Sequence, residues 1–134
     1  MAAPEFHLGL ELRLAIVAHA RETAPNEACG LLAGRDGRPT RAIPCANTHP
    51  TPMTRYLISP REQLRAFREM DDNGEELIAI YHSHPASQPY PSPTDRAEAH
   101  YPEAVYVLVS LRTSTPEVRA YRIADDMVRE VPLT

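Results

Sequence analysis

The chain has 134 residues, 43% of them hydrophobic: enough for one compact core and too few for two, so a single domain over 1–134 is expected. Its 18 acidic and 14 basic side chains leave a formal charge of -4 with no basic run, which excludes the usual electrostatic footprint of a nucleic-acid partner. No segment approaches the roughly 18 to 20 apolar residues of a membrane span, and the opening residues lack a basic start followed by an apolar run, so a soluble cytoplasmic protein is expected.

Phe6 to Leu10 reads as a short opening strand, and Leu12, Ala15, Ile16 and His19 then recur at helical spacing to about Thr23. Ala24-Pro25-Asn26 ends that helix. ACGLLAG and RAIPCAN flank Arg35-Asp36-Gly37-Arg38, and Asp-Gly between two apolar runs predicts a hairpin. With Asp36 and Gly37 as the turn, Cys29 lies opposite Pro44, so the period of two places Cys29 and Cys45 on opposite faces. Neither cysteine belongs to a C-x-x-C pair, and Cys29 in an apolar strand reads as a small buried hydrophobe before a nucleophile partnered by His82.

An irregular stretch from Thr48 leads to a predicted strand at Arg55 to Ile58. Ser59-Pro60-Arg61-Glu62 then supplies an N-cap, a proline at the first helical position and a capping-box glutamate, with Gly74 stopping the helix after about Asn73. Leu77 to Tyr81 (LIAIY) reads as a buried central strand that surfaces in His82-Ser83-His84-Pro85. After a proline-rich loop, Ser92-Pro93-Thr94-Asp95 opens a short helix to about His100. Three strands follow, at Ala104 to Ser110, Val118 to Ile123 and Met127 to Val131, giving a mixed α/β fold without repeats.

Residues i and i+2 of a strand share a face, so His82 and His84 present two imidazoles side by side while Ser83 points away. A catalytic zinc site takes three protein ligands and leaves a fourth position open, and Asp95 at the next helix start is the best-placed carboxylate. Each piece alone has an ordinary reading. H-x-H recurs by chance, S-P-T-D is also a plain helix N-terminus with Ser92 as cap, and a glutamate between helix and strand, such as Glu27, is usually solvated. Two histidines where a buried strand ends, followed one loop later by a serine and an aspartate, form a more informative combination. His49 could line a substrate path, whereas His7, His19 and His100 have no partner pattern.

Glu27 in E-A-C-G-L-L, then H-S-H-P from His82, then S-P-T-D ending at Asp95, resemble the JAMM (MPN-plus) metalloprotease motif, a distant glutamate followed by H-x-H, seven residues and S-x-x-D. The order of predicted elements is similar to that family over nearly the whole chain. The resemblance implies a cytidine-deaminase-like JAMM/MPN fold with a central curved sheet flanked by helices. It also implies zinc held by His82, His84 and Asp95, Glu27 as general base and then acid, and Ser92 as hydrogen-bond donor to the developing oxyanion.

Members of the family hydrolyse the bond after the C-terminal Gly-Gly of ubiquitin or a ubiquitin-like protein. Few residues separate Asp95 from the next strand, so the inserted segment of linkage-specific deubiquitinases is missing. The compact build, and Tyr81 to Asp95 in particular, is similar to prokaryotic stand-alone members of the mycobacterial type that remove cysteine from a sulfur-carrier protein. The resemblance therefore implies a carrier with a Gly-Gly tail as partner, with desampylase-type release from lysine as the alternative. A metal-free MPN scaffold is the non-enzymatic alternative, although such modules usually lack part of the motif.

Overall fold

The computed structural model describes residues 5–134. Helix α1 (Leu10–Thr23) is followed by strands β1 (Cys29–Arg35) and β2 (Arg38–Cys45), helix α2 (Pro60–Asn73) and strand β3 (Glu76–His84). A short helix α3 (Pro93–Ala97) precedes strands β4 (Val105–Ser110), β5 (Glu117–Ala124) and β6 (Met127–Val131). The strands form one mixed sheet in the order β2-β1-β3-β4-β5-β6, antiparallel except for the β3/β4 pair.

The apolar density of LIAIY follows from cover on both sheet faces, which leaves β3 buried from Ile78 through His84. On one face Ile16 and Ala20 of α1 pack with Ala79, Tyr81, Val105 and Val107. On the other, Ala66 and Met70 of α2 pack with Leu31, Ile80, Tyr106 and Leu108. His82 and His84 share the parity of Ile80 and therefore lie on the α2 face.

Helix α2 carries its own boundaries. The Ser59 side chain accepts from Glu62 N, Pro60 opens the helix, and Gly74 closes it at φ 66°. The predicted capping box is only half made: Glu62 does not reach back to Ser59, and its carboxylate accepts from Ala46 N at 3.0 Å, joining the helix start to the end of β2.

Two other expectations are corrected. The hairpin turns at Asp36 and Gly37, both at positive φ, but the register shifts between Ala33 and Gly34 so that Cys29 pairs with Cys45. Because Gly34 faces Pro39 and Ala33 faces Arg41, Thr40 is the extra residue of a bulge, and the cysteines share a face. Both remain free thiols, raised mainly by burial to about 12 for Cys29 and about 11 for Cys45, which makes them unreactive. The segments predicted as strands at Phe6 to Leu10 and Arg55 to Ile58 make only single bridges, Phe6 to Leu133 and Asn47 to Ile58.

A Cβ at Gly34 would press into the Arg38 carbonyl, a backbone atom that the bulge fixes in place. Gly34→Ala is expected to destabilise the chain by about 1–3 kcal/mol, read as a lower urea midpoint. An unchanged midpoint would mean that the bulge yields freely.

Candidate metal centre

The β1/β3 register brings the separated parts of the motif together. Cys29 pairs with His82, and the strands stay joined one residue further on, where Ser83 N donates to Ala28 O at 3.0 Å and Ala28 N donates to Ser83 Oγ at 2.8 Å. The next pair in this antiparallel register is Glu27 opposite His84, so Glu27, His82 and His84 face the same way. Ser83, which points to the other face, thus sets the Glu27 strand against the histidines, a role that sequence periodicity does not show.

Asp95 arrives from the other side through the N-terminus of α3. The Ser92 side chain accepts from Asp95 N at 3.0 Å, and Asp95 Oδ2 accepts from Ser92 N at 2.9 Å, a reciprocal capping box. The plain helix-start reading and the metal-ligand reading of S-P-T-D therefore describe one arrangement: the cap aims the carboxylate. With its acceptor side used by Asp95 N, Ser92 keeps its O–H free to donate.

His82 Nε2, His84 Nε2 and Asp95 Oδ2 form a close triangle. The imidazole nitrogens are 3.3 Å apart, and Oδ2 lies 3.2 Å from His82 and 3.0 Å from His84. Among the described residues, these three form the one His/Cys/Asp/Glu group whose ligand atoms converge closely enough to hold a metal. Ligands about 2.0–2.1 Å from a common tetrahedral centre stand about 3.3 Å apart, which matches the triangle.

The protonation states support the same reading. His84 Nδ1 is 2.8 Å from the Gln88 carbonyl, which can only accept, so Nδ1 carries a proton; burial lowers His84, but Asp95 and the Gln88 carbonyl outweigh it and raise the imidazole above its ordinary value. Burial works against charge on Asp95, but His82, His84 and the Ser92 N–H outweigh it and hold the carboxyl far below its usual range. Burial lowers His82 and favours its neutral form. Once a cation displaces the protons at Nε2, the two imidazoles and the carboxylate at this spacing would turn three lone-pair donors on one point, an arrangement that fits a shared divalent cation.

Glu27 is 4% exposed and its Oε1 has no hydrogen-bond partner among the described residues. Burial, opposed by His84 and reinforced by Asp95, pushes its carboxyl up to about 7, the range of a group that exchanges protons at neutral pH. A folded pKa raised above the ordinary 4.5 gives stability that is full below about 4.5 and lost as pH rises through about 7. In metal-free protein, Glu27→Gln is therefore expected to be stabilised relative to wild type above pH 7 by up to about 3 kcal/mol more than below pH 4.5. Denaturant titrations across that range check it, and parallel pH curves would contradict it.

Beside the centre is a cavity of about 460 Å³ lined by Tyr56, Leu57, Ile58, Gln63 and Tyr101 over a floor of Leu31 and Ile80. Tyr56 is shared by both sites, since its ring stacks on His82 with centroids 4.3 Å apart. His49 and His100 also line the cavity, whereas His19 packs in the fold with Nδ1 2.7 Å from the Tyr81 hydroxyl. Exposed Leu57 and Leu64 add apolar surface on the segments that border it. Tyr56 and Asn47, whose amide binds the Glu27 carbonyl at 3.0 Å, carry no motif that could have marked them in advance.

Residues 10–124 match the family described as prokaryotic homologs of the JAB domain. A CysO-cysteine peptidase of Mycobacterium tuberculosis (strain ATCC 25618 / H37Rv) is 49% identical over 122 residues, 89% of this chain and 83% of that protein. A desampylase of Haloferax volcanii is 38% identical over 116 residues, covering 82% of this chain and 84% of its own. Among solved structures, protein DSY2949 from Desulfitobacterium hafniense superposes with a TM-score of 0.87 at 36% identity, over 96% of this chain and 91% of that one.

Proposed function

The chain belongs to the prokaryotic JAB-domain family, the stand-alone prokaryotic branch of the JAMM/MPN proteins, and from that premise we propose that it is a zinc-dependent peptidase acting after the C-terminal Gly-Gly of a ubiquitin-like or sulfur-carrier protein. The observation that carries the reading is the triangle of two imidazole nitrogens and one carboxylate oxygen with the protonatable Glu27 on the same face. The whole ligand set is present, which disfavours a scaffold role. The name of one relative, CysO-cysteine peptidase, supports carrier-cysteine conjugates as the first substrates to test.

His82, His84 and Asp95 would hold the zinc. Zinc there would supply Lewis acidity that makes an attacking water far more acidic than bulk water. Glu27 takes a proton from the attacking water as its oxygen adds to the glycine carbonyl. As the C–N bond breaks, Glu27 returns that proton to the leaving amine, the remaining hydroxyl proton passes to the amine or to solvent, and the carrier ends as a carboxylate. Ser92 donates its free O–H to the oxygen that gains charge during attack. The tail is expected to lie along residues 55–58 and into the adjoining cavity, where Leu57 and Tyr101 accept extended chain and small glycines clear the metal centre.

Ser92→Ala is expected to keep bound zinc while kcat falls about 10²- to 10³-fold, with a loss of about 1 kcal/mol in stability from the cap. Ser92→Thr, which restores the hydroxyl, should recover most of the turnover, and unchanged kcat in the alanine variant would remove Ser92 from the chemistry. Product mass spectrometry on carrier-cysteine and carrier-lysine conjugates tests the leaving group. Faster release of cysteine is the expected result. Release from lysine alone would assign the chain to the desampylase type, in keeping with the relative from Haloferax volcanii.

A further inference from the structure

The two imidazoles of the centre are held in different ways. His84 is fixed through Nδ1, 2.8 Å from the Gln88 carbonyl, and cannot turn without losing that bond. His82 Nδ1 is buried and has no hydrogen-bond partner among the described residues. A histidine that offers Nε2 to a cation carries its proton on Nδ1, and such rings are normally oriented by the acceptor bound there. At His82 the neighbour in the corresponding supporting role is an aromatic face. The Tyr56 ring lies 4.3 Å from the imidazole, centroid to centroid, at an interplanar angle of 24°.

Tyr56 sits in a segment with no helix or strand, yet its backbone is clamped on both sides by one amide. Asn47 Nδ2 donates to Arg55 O at 3.0 Å, and Asn47 Oδ1 accepts from Leu57 N at 3.0 Å. The Asn47 to Ile58 bridge and the Thr48 N to Leu57 O hydrogen bond of 2.8 Å close the same clamp. The amide also donates to Glu27 O at 3.0 Å, so the segment behind His82 and the segment bearing the base share one anchor.

We propose that Tyr56 is the positioning residue for His82: its ring face, held by the Asn47 clamp, fixes the orientation of this ligand, the part that an Nδ1 acceptor plays at His84. The inference rests on the metal reading above and concerns the ring, not the hydroxyl. Loss of an outer partner of a metal-ligating histidine typically weakens binding 10- to 100-fold, and removal of the ring is expected to act on that scale.

Zinc release to a chromophoric chelator, measured on the full chain for wild type, Tyr56→Phe and Tyr56→Leu, tests it. Tyr56→Phe should release zinc within about threefold of wild type, and Tyr56→Leu about 10- to 100-fold faster. Asn47→Asp, which keeps the acceptor and loses both amide donors, should release zinc faster than wild type with Tyr56 intact, and this variant carries the test if Tyr56→Leu does not fold. In metal-free protein, the ring-current shift of the His82 ring protons should survive in Tyr56→Phe and vanish in Tyr56→Leu. Wild-type release rates in Tyr56→Leu or Asn47→Asp, unmoved His82 resonances in Tyr56→Leu, or equal losses in the phenylalanine and leucine variants would overturn the proposal. A wild-type chain that takes up no zinc but shows the expected His82 shifts would overturn the metal reading and leave the stack established on its own.

Discussion

Glu27→Gln is expected to bind zinc as wild type does and to lose about 10²- to 10⁴-fold in turnover, because the glutamine keeps the shape of the carboxyl and removes its proton transfer. The expectation follows from position: the β1/β3 register sets Glu27 against His84 at the ligand face, and burial brings its carboxyl to about 7. Its Oε1, which has no hydrogen-bond partner among the described residues, is not used there to hold the fold together. The loss should appear in kcat, since the side chain acts on the proton in flight and not on the carrier. Retained turnover in a zinc-loaded Glu27→Gln enzyme would mean that another group carries the proton. Together with the stabilisation expected for metal-free Glu27→Gln at high pH, activity and stability should move in opposite directions.

His84→Ala is expected to weaken zinc binding by more than about 100-fold, beyond the usual effect of an outer partner, and to leave no activity above background at ordinary zinc concentrations. The substitution removes one corner of the triangle and the bond to Gln88 that orients it, and leaves Asp95 Oδ2 with His82 as its remaining imidazole neighbour. Zinc content after gel filtration and chelator competition read the first effect, and carrier cleavage reads the second. An alanine variant that holds zinc as tightly as wild type would place the metal elsewhere.

Local signals carried much of this into the sequence. Helix α2 was legible from end to end because Ser59, Pro60 and Gly74 each act within one turn of where they stand. The hairpin was legible from Asp36-Gly37, but not the facing of Cys29 and Cys45: the Thr40 bulge adds one residue, and with a period of two a single residue reverses every face. The shared face of His82 and His84 followed from the same period, unbroken between them. Glu27 stood apart, since its tie to His84 runs through a β1/β3 register that periodicity cannot supply, and only the family resemblance pointed to it. Tyr56 and Asn47 were illegible because their roles exist only once the 47–58 loop has folded against β3. Ser92 was legible twice, as cap and as motif residue, and the geometry uses both, since the cap that starts α3 also aims Asp95.

The most direct test is the intact mass of a ubiquitin-like carrier ending in Gly-Gly-Cys after incubation with the zinc-loaded chain. Loss of one cysteine residue, abolished by a chelator and restored by added zinc, is the predicted result. An unchanged carrier, or the same loss with the metal removed, would contradict the account.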